Sequence, residues 1–263
     1  MNYFLSDSLA LAGRQLKQLK RVPTKLISVT VVPIVTVLIF GYLFGSMINT
    51  PGLNYRSFIM AGIFMQVMLS GVSSTAIGVA ADLKTGIVDR FRSMPIARPA
   101  VLVGRTLADI LLSALACTIM ALVGLLIGWR TTTDPVKIIS GFAILLLAGY
   151  VLAWLGALIG LALRSPEAVT SVTFLISMPL TFLSNAFVNP SVLPSGLQIV
   201  AEWNPVSAVI GAMRELWGNT APGTVSTAFP AQYPVVVAVV SLLVLMVILV
   251  PTSTRAYRAA TAR

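Results

Sequence analysis

The feature that most limits what this chain can fold into is a series of six long apolar runs, residues 26–48, 57–81, 106–129, 138–163, 168–188 and 233–250. A helix needs about 20 mostly apolar residues to cross the roughly 30 Å hydrocarbon layer of a bilayer, and each run reaches or approaches that length. In lipid every backbone N–H and C=O must be satisfied within the segment, so such runs become helices. Composition agrees, since 263 residues that are 57% hydrophobic and 10% charged lie outside the range of soluble domains. Within the six runs the only Asp, Glu, Lys or Arg is Asp109. The expected fold is one all-α integral membrane domain over residues 1–263 with six transmembrane helices, the sixth short and ending at Pro251.

Counting removes several functions. With His 0 and Cys 1, His-based acid/base chemistry, Ser-His triads, Cys/His metal sites and intrachain disulfides are excluded. No catalytic residue and no metal ligand is assigned, and Cys117 reads as a small hydrophobe within its run.

The net charge of +10 is a topological signal. Fourteen Lys and Arg fall in the N-terminal segment, the loop after the second run, the turn after the fourth and the C-terminal tail; four (Arg56, Arg130, Lys137, Arg214) fall between the others. Positive charge is retained inside, so both termini are expected in the cytoplasm, and nucleic acid is not needed to explain the surplus. The first run is too long for a signal-peptide core, so none is expected.

Three segments outside the runs carry pattern. In residues 5–21, Leu5, Leu9, Ala12, Leu16 and Leu19 share an arc of about 80° with Arg14, Lys17 and Arg21 on another face, an amphipathic helix lying in the membrane plane. It serves equally well as an anchor or as a partner contact. In the loop from Asp82 to Pro99, Ile87, Arg90, Phe91 and Met94 repeat at helical spacing until Pro95 stops the pattern. This short cytoplasmic helix suits docking into a partner's groove or lying on anionic headgroups. In the external stretch 189–232, Asn204 and Pro205 signal a helix start, followed by Val206, Val209, Ile210, Met213 and Trp217 up to Gly218. That helix, about 20 Å long, is too short to span and is expected at the outer interface, with Arg214 and Glu215 near headgroup level.

The stretch DLKTGIVDRFRSMPIARPAVLVGRTLAD, Asp82 to Asp109, resembles the segment after the second span of type-2 ABC export permeases, particularly their daunorubicin-resistance branch. NPVSAVIGAMRELWGN, Asn204 to Asn219, is similar to the helix before that branch's last span, and the likeness extends over the six-span layout. The resemblance implies a non-catalytic permease in a bacterial cytoplasmic membrane, paired with a second copy or a paralogue and docked on ATP-binding-cassette subunits that hold ATP and Mg. It also implies that Lys84, Ile87, Asp89, Arg90, Phe91 and Met94 form the coupling helix. The N-terminal helix, with Arg14, Lys17, Lys20 and Arg21, joins the same contact, and the external stretch is partly re-entrant.

The residues independently call for a separate engine. A Walker A loop needs Gly directly before Lys, and Leu16, Leu19, Thr24, Leu83 and Val136 stand there instead. An ion-coupled transporter needs intramembrane charges, and Asp109 alone is available. Its i, i+4 spacing from Arg105 makes a local pair the simpler expectation.

Two spans carry polar stripes: Gln66, Ser70, Ser73 and Ser74 in the second, and Thr170, Thr173, Ser177, Thr181 and Ser184 in the fifth. Each serves as a translocation path or as close helix packing, for which the GxxxG pairs at 41–45, 124–128 and 156–160 are further candidates. No aromatic series accompanies the stripes, so an amphipathic drug or lipid suits such a corridor better than a sugar chain. Polysaccharide or another envelope component, an ion-coupled transporter and a membrane hydrolase are the competing readings, the last disfavoured by the absence of His.

Overall fold

The computed structural model describes residues 13, 23–44, 55–84, 98–163, 165–187, 190, 193–220 and 228–262. The helices among them are α1 (Pro23–Thr36), running on as a π-helical stretch (Val37–Phe44), α2 (Tyr55–Lys84), α3 (Arg98–Leu126), α4 (Pro135–Leu163), α5 (Pro166–Phe182), α6 (Ser195–Trp203), α7 (Pro205–Trp217), α8 (Phe229–Gln232) and α9 (Pro234–Ala262). No strand occurs among the described residues. Among the described residues four helical stretches are long and apolar enough to cross a membrane: Tyr55–Lys84, Val101–Leu126, Pro135–Leu163 and Pro234–Ala260.

α2 is the centre of the bundle. Every residue from Ser57 to Met65 is buried, because α4, α5, α7 and the π-helical stretch pack around it. The contact with α4 is the most extensive among the described helices, and small residues explain why. A Cβ at Gly156 would meet the backbone carbonyl of Val72, and one at Gly160 that of Ala76, so only glycine lets the two backbones come this close. The GxxxG pair at 156–160 is therefore a packing site. At 124–128 only Gly124 packs closely, a Cβ there meeting Met60 Cε at 2.7 Å, whereas Gly128 lies in the turn after α3 with φ +100, a conformation glycine adopts without steric cost.

Large apolar side chains also cover the outside. Val31, Val32 and Val35 of α1, Leu111, Leu115 and Leu122 of α3, and Val240, Val247 and Ile248 of α9 are all exposed. Water would penalise so much apolar surface on a monomer, whereas acyl chains do not.

The element boundaries correct several sequence expectations. The third run ends as helix at Leu126, with 127–128 in a turn, and the fifth ends as helix at Phe182, its continuation to Phe187 being turn. The sixth does not stop at Pro251. α9 continues to Ala262, and beyond the proline Ser253 and Tyr257 are buried, with Ser253 Oγ donating to the Trp154 carbonyl at 3.2 Å. That packing against α4 holds the helix together where proline removes one backbone donor.

α7 forms where the capping signals predict. Asn204 Oδ1 accepts from the Val206 N–H at 2.9 Å, Pro205 opens the helix and Gly218 closes it with φ +70. Its far end is sealed by aromatics: Phe64, Trp129, Phe142 and Trp217 lie with ring centroids 4.9–5.7 Å apart. The indole N–H of Trp129 donates to Asn219 and that of Trp217 to the Ile138 carbonyl, so both polar handles are satisfied in the buried cluster.

Candidate functional site

A cavity of about 140 Å³ opens between α1, α2, α3 and α4. Its walls are Val29 and Pro33 of α1; Val67, Met68, Ser70, Gly71, Ser74 and Thr75 of α2; Asp109, Leu112, Ser113 and Ala116 of α3; and Gly149 and Ala153 of α4. Each helix contributes there from its interior rather than its end. Gly149 keeps the α4 wall low, since a Cβ there would press on Met68 Sδ at 2.9 Å. Among the described residues no aromatic side chain lines the cavity, and Asp109 is the one ionisable residue in its walls.

The structure replaces the expected Arg105–Asp109 pair. Arg105 forms its ion pair with Asp82 at the end of α2, its guanidinium lying over Gly78, where a Cβ would collide with it. Asp109 Oδ2 instead accepts a hydrogen bond from the buried Thr75 hydroxyl at 2.7 Å. α3 begins at Arg98, so Asp109 stands three turns in, about 16 Å from the helix start at 1.5 Å per residue. Local spacing on one helix was outcompeted by two contacts reaching across from α2.

The two polar stripes meet but differ in placement. Ser70 and Ser74 line the cavity, whereas the Ser73 hydroxyl donates to Thr173 Oγ1 of α5 at 2.6 Å. Gln66 is half-buried with a buried Oε1 that has no hydrogen-bond partner among the described residues. Of the fifth-run stripe, Thr173 and Thr181 of α5 and Ser184 in the turn after it are buried, Ser177 is half-buried and Thr170 is exposed. Thr170, Thr173 and Thr181 each bond a carbonyl one turn back, and Ser184 bonds the Thr181 carbonyl. The outward face of α5 carries Phe174, Leu175, Met178 and Phe182. At its start, the Ser165 hydroxyl donates to Glu167 and holds that carboxyl below its ordinary pKa.

Arg214 does not reach the surface. It is 5% exposed; Nε donates to the Phe58 carbonyl at 3.0 Å, Nη2 to the Ala186 carbonyl at 3.1 Å, and the guanidinium stacks 3.5 Å from the Phe58 ring centroid. Burial pulls its pKa down, with Tyr55 acting in the opposite sense. The side chain thus ties α7 to α2 and to the turn after α5, while neighbouring Glu215 is exposed. Arg214 is therefore an internal tie rather than a solvent-facing charge, because the face of α7 that packs inward includes it.

Lys84 is exposed at the end of α2. Ile87, Asp89, Arg90, Phe91 and Met94 of the coupling segment, and Arg14, Lys17, Lys20 and Arg21 of the interfacial helix, lie outside the described residues. Sequence reasoning missed Thr75 and Ser113 as cavity residues and Arg214 as an internal tie. For Ser113 the signal was its i, i+4 spacing from Asp109.

The sequence description of ABC-2 type transporters matches residues 7–217 of this chain. The chain is 30% identical over 217 residues to the daunorubicin resistance ABC transporter permease protein DrrB1 of Streptomyces coeruleorubidus, covering 82% of this chain and 77% of the relative. It is 27% identical over 222 residues to the protein of Cyanophora paradoxa named as the transport permease ycf38, covering 83% of this chain and 76% of that protein.

Proposed function

This chain belongs to the ABC-2 type transporter family as a membrane-embedded permease, and from that premise we propose that it moves an amphipathic drug or lipid-like substrate outward across a bacterial cytoplasmic membrane. The power comes from a separate ATP-binding-cassette subunit, which holds the ATP and Mg, and a second permease copy or a paralogue completes the assembly. Six spans are formed when the shorter helices α1, with its π-helical extension, and α5 join the four long ones; both termini then lie in the cytoplasm. The observation that carries the reading is the extent of the match, which runs over most of the helical framework rather than over one motif.

The substrate class is supported by the cavity chemistry. Hydroxyls and small apolar groups, with no aromatic platform among the described residues, suit a partly polar head on an apolar body better than a stack of sugar rings. Movement is driven through the coupling segment, where Lys84, Ile87, Asp89, Arg90, Phe91 and Met94 meet the ATPase, beside Arg14, Lys17, Lys20 and Arg21. The path runs along the Gln66–Ser74 face and the less buried members of the α5 stripe, Thr170 and Ser177.

Co-expression with an ATP-binding-cassette subunit from the same source, followed by vesicle reconstitution, tests this reading. A desolvated aromatic anchor supplies about 2 kcal/mol or more of an interface, so Phe91→Ala should release the ATPase and lower ATP-dependent transport while leaving membrane insertion intact. Normal co-purification with full transport in that variant refutes the coupling role.

A further inference from the structure

Serine and threonine hydroxyls in a helix that lies in lipid ordinarily donate to a carbonyl one turn back, since little else there takes the proton. Thr106 and Thr118 of α3 and Ser140 of α4 do so, to the carbonyls of Leu102, Ala114 and Val136. Ser74 and Ser113 do not: among the described residues neither hydroxyl donates to any group, and both line the cavity between α1, α2, α3 and α4. Ser70 and Ser74 are exposed there, Ser70 about 22 Å along α2 at 1.5 Å per residue, half-way through a helix of 30 residues. A hydroxyl that deep in a bilayer is costly without a partner, so the cavity is short of an acceptor.

The same walls supply acceptors of their own. The Ser70 proton is committed to the Val67 carbonyl at 2.7 Å, which leaves its oxygen able only to accept. On α1, Pro33 has no N–H to offer the Val29 carbonyl four residues back, and both residues line the cavity. Asp109 adds no free charge: Thr75 donates to it at 2.7 Å, and it has a further interaction within the protein. A charged head entering here gives up water and finds no unengaged counter-ion among the described walls, whereas a neutral head that both donates and accepts is matched. At about 140 Å³ the cavity takes that head and the first few carbons, against about 300–1,000 Å³ for drug-sized sites. Val31, Val32 and Val35, which flank Pro33 on α1, are exposed and continue an apolar surface for a tail.

Resting on the export reading above, we propose that this cavity binds the hydroxyl head of a neutral amphiphile, which accepts from Ser74 and Ser113 and donates to the Ser70 oxygen or the Val29 carbonyl. The site selects against charge of either sign and against a bare hydrocarbon. Gly71, another wall residue, keeps the space open: no atom lies within 4 Å of where its Cβ would stand, so a larger side chain there occupies the cavity and not the core.

The test uses the full permease in phosphatidylcholine nanodiscs and a decanol carrying a diazirine on its chain; photolysis fixes the probe where it sits, and mass spectrometry locates it. Saturable labelling of the cavity walls is expected, displaced by decanol but not by decane, decylammonium or decyl sulfate at the same concentration in the disc. Ser74→Ala together with Ser113→Ala should raise the probe concentration at half-saturation about ten-fold, the loss of two neutral hydrogen bonds. Neither hydroxyl holds a protein group, so the double variant keeps its fold. Gly71→Leu should abolish the labelling. Unchanged half-saturation in the double variant, retained labelling in Gly71→Leu, or equal displacement by decylammonium or decyl sulfate overturns the proposal. So does absent labelling in a protein that loses its pairing on Gly71→Leu, which assigns the cavity to the second permease copy. ATP-driven export with no saturable labelling sinks this inference alone. Saturable labelling in a protein that recruits no ATPase sinks only the export reading it rests on.

Discussion

Replacing Arg214 by methionine removes a buried charge but leaves what that charge was holding. The Phe58 carbonyl lies within α2 and shares its second lone pair with Nε, whereas the Ala186 carbonyl lies in a turn, at 3.1 Å from Nη2. A hydrogen bond to a charged group contributes about 1.5–3 kcal/mol, and the Ala186 oxygen stays buried without its donor when Arg214 is gone. Stacking on Phe58 adds about 1–2 kcal/mol in a desolvated setting. Against this, methionine no longer has to be stripped of hydration as a guanidinium was, and it fills much of the space. The balance is a loss of about 2–4 kcal/mol for Arg214→Met. Arg214→Lys keeps the charge but cannot fork to two carbonyls, so it should fall between, at about 1–2 kcal/mol. Reversible unfolding of the purified protein in mixed micelles, followed by tryptophan fluorescence, measures both. Arg214→Met within about 0.5 kcal/mol of the parent refutes the view that this side chain ties the three elements together.

Gly160→Leu should destabilise the same protein by about 1–3 kcal/mol or block its folding, because the added Cβ meets the Ala76 carbonyl and α2 has to move as a whole. Gly71→Ala, where no atom lies within 4 Å of the added Cβ, should instead be neutral or gain up to about 1 kcal/mol; equal losses at both glycines contradict the packing argument. Cysteines at the exposed Thr220 and Ala259, in a Cys117→Ala background, should react with an impermeant thiol reagent from opposite sides of the membrane. Labelling from one side refutes the six-span arrangement.

The helices were legible in the sequence because long apolar runs leave the backbone no other form, and α7 was legible because Asn204, Pro205 and Gly218 mark its ends chemically. What escaped depended on contacts between distant segments. Pro251 reads locally as a stop, and it is overruled by the buried series Leu249, Ser253, Tyr257 packing at helical spacing. The continued period was in the sequence, masked by the weight given to one proline. Asp109 was assigned to Arg105 because the two are one turn apart, yet Asp82 and Thr75 of α2 compete for them across the bundle. No single-helix pattern encodes which neighbour wins. The α5 stripe is visible as a pattern, but its division into buried Thr173 and exposed Thr170 depends on where α2 crosses it.

α9 is a single rod of 29 residues, about 43 Å long at 1.5 Å per residue. One end rests on α7, where Pro234 lies against Gly211, and the other is bonded to α4 through Ser253. A rigid lever of that length turns small angles into large displacements: a tilt of about 5° pivoting at one end carries the other by about 4 Å. That is most of the rise of one helical turn. The place where such a lever can yield is Pro251, the one position in the interior of α9 that lacks a backbone donor, so whatever pushes on the last turns is either transmitted to α7 or absorbed there.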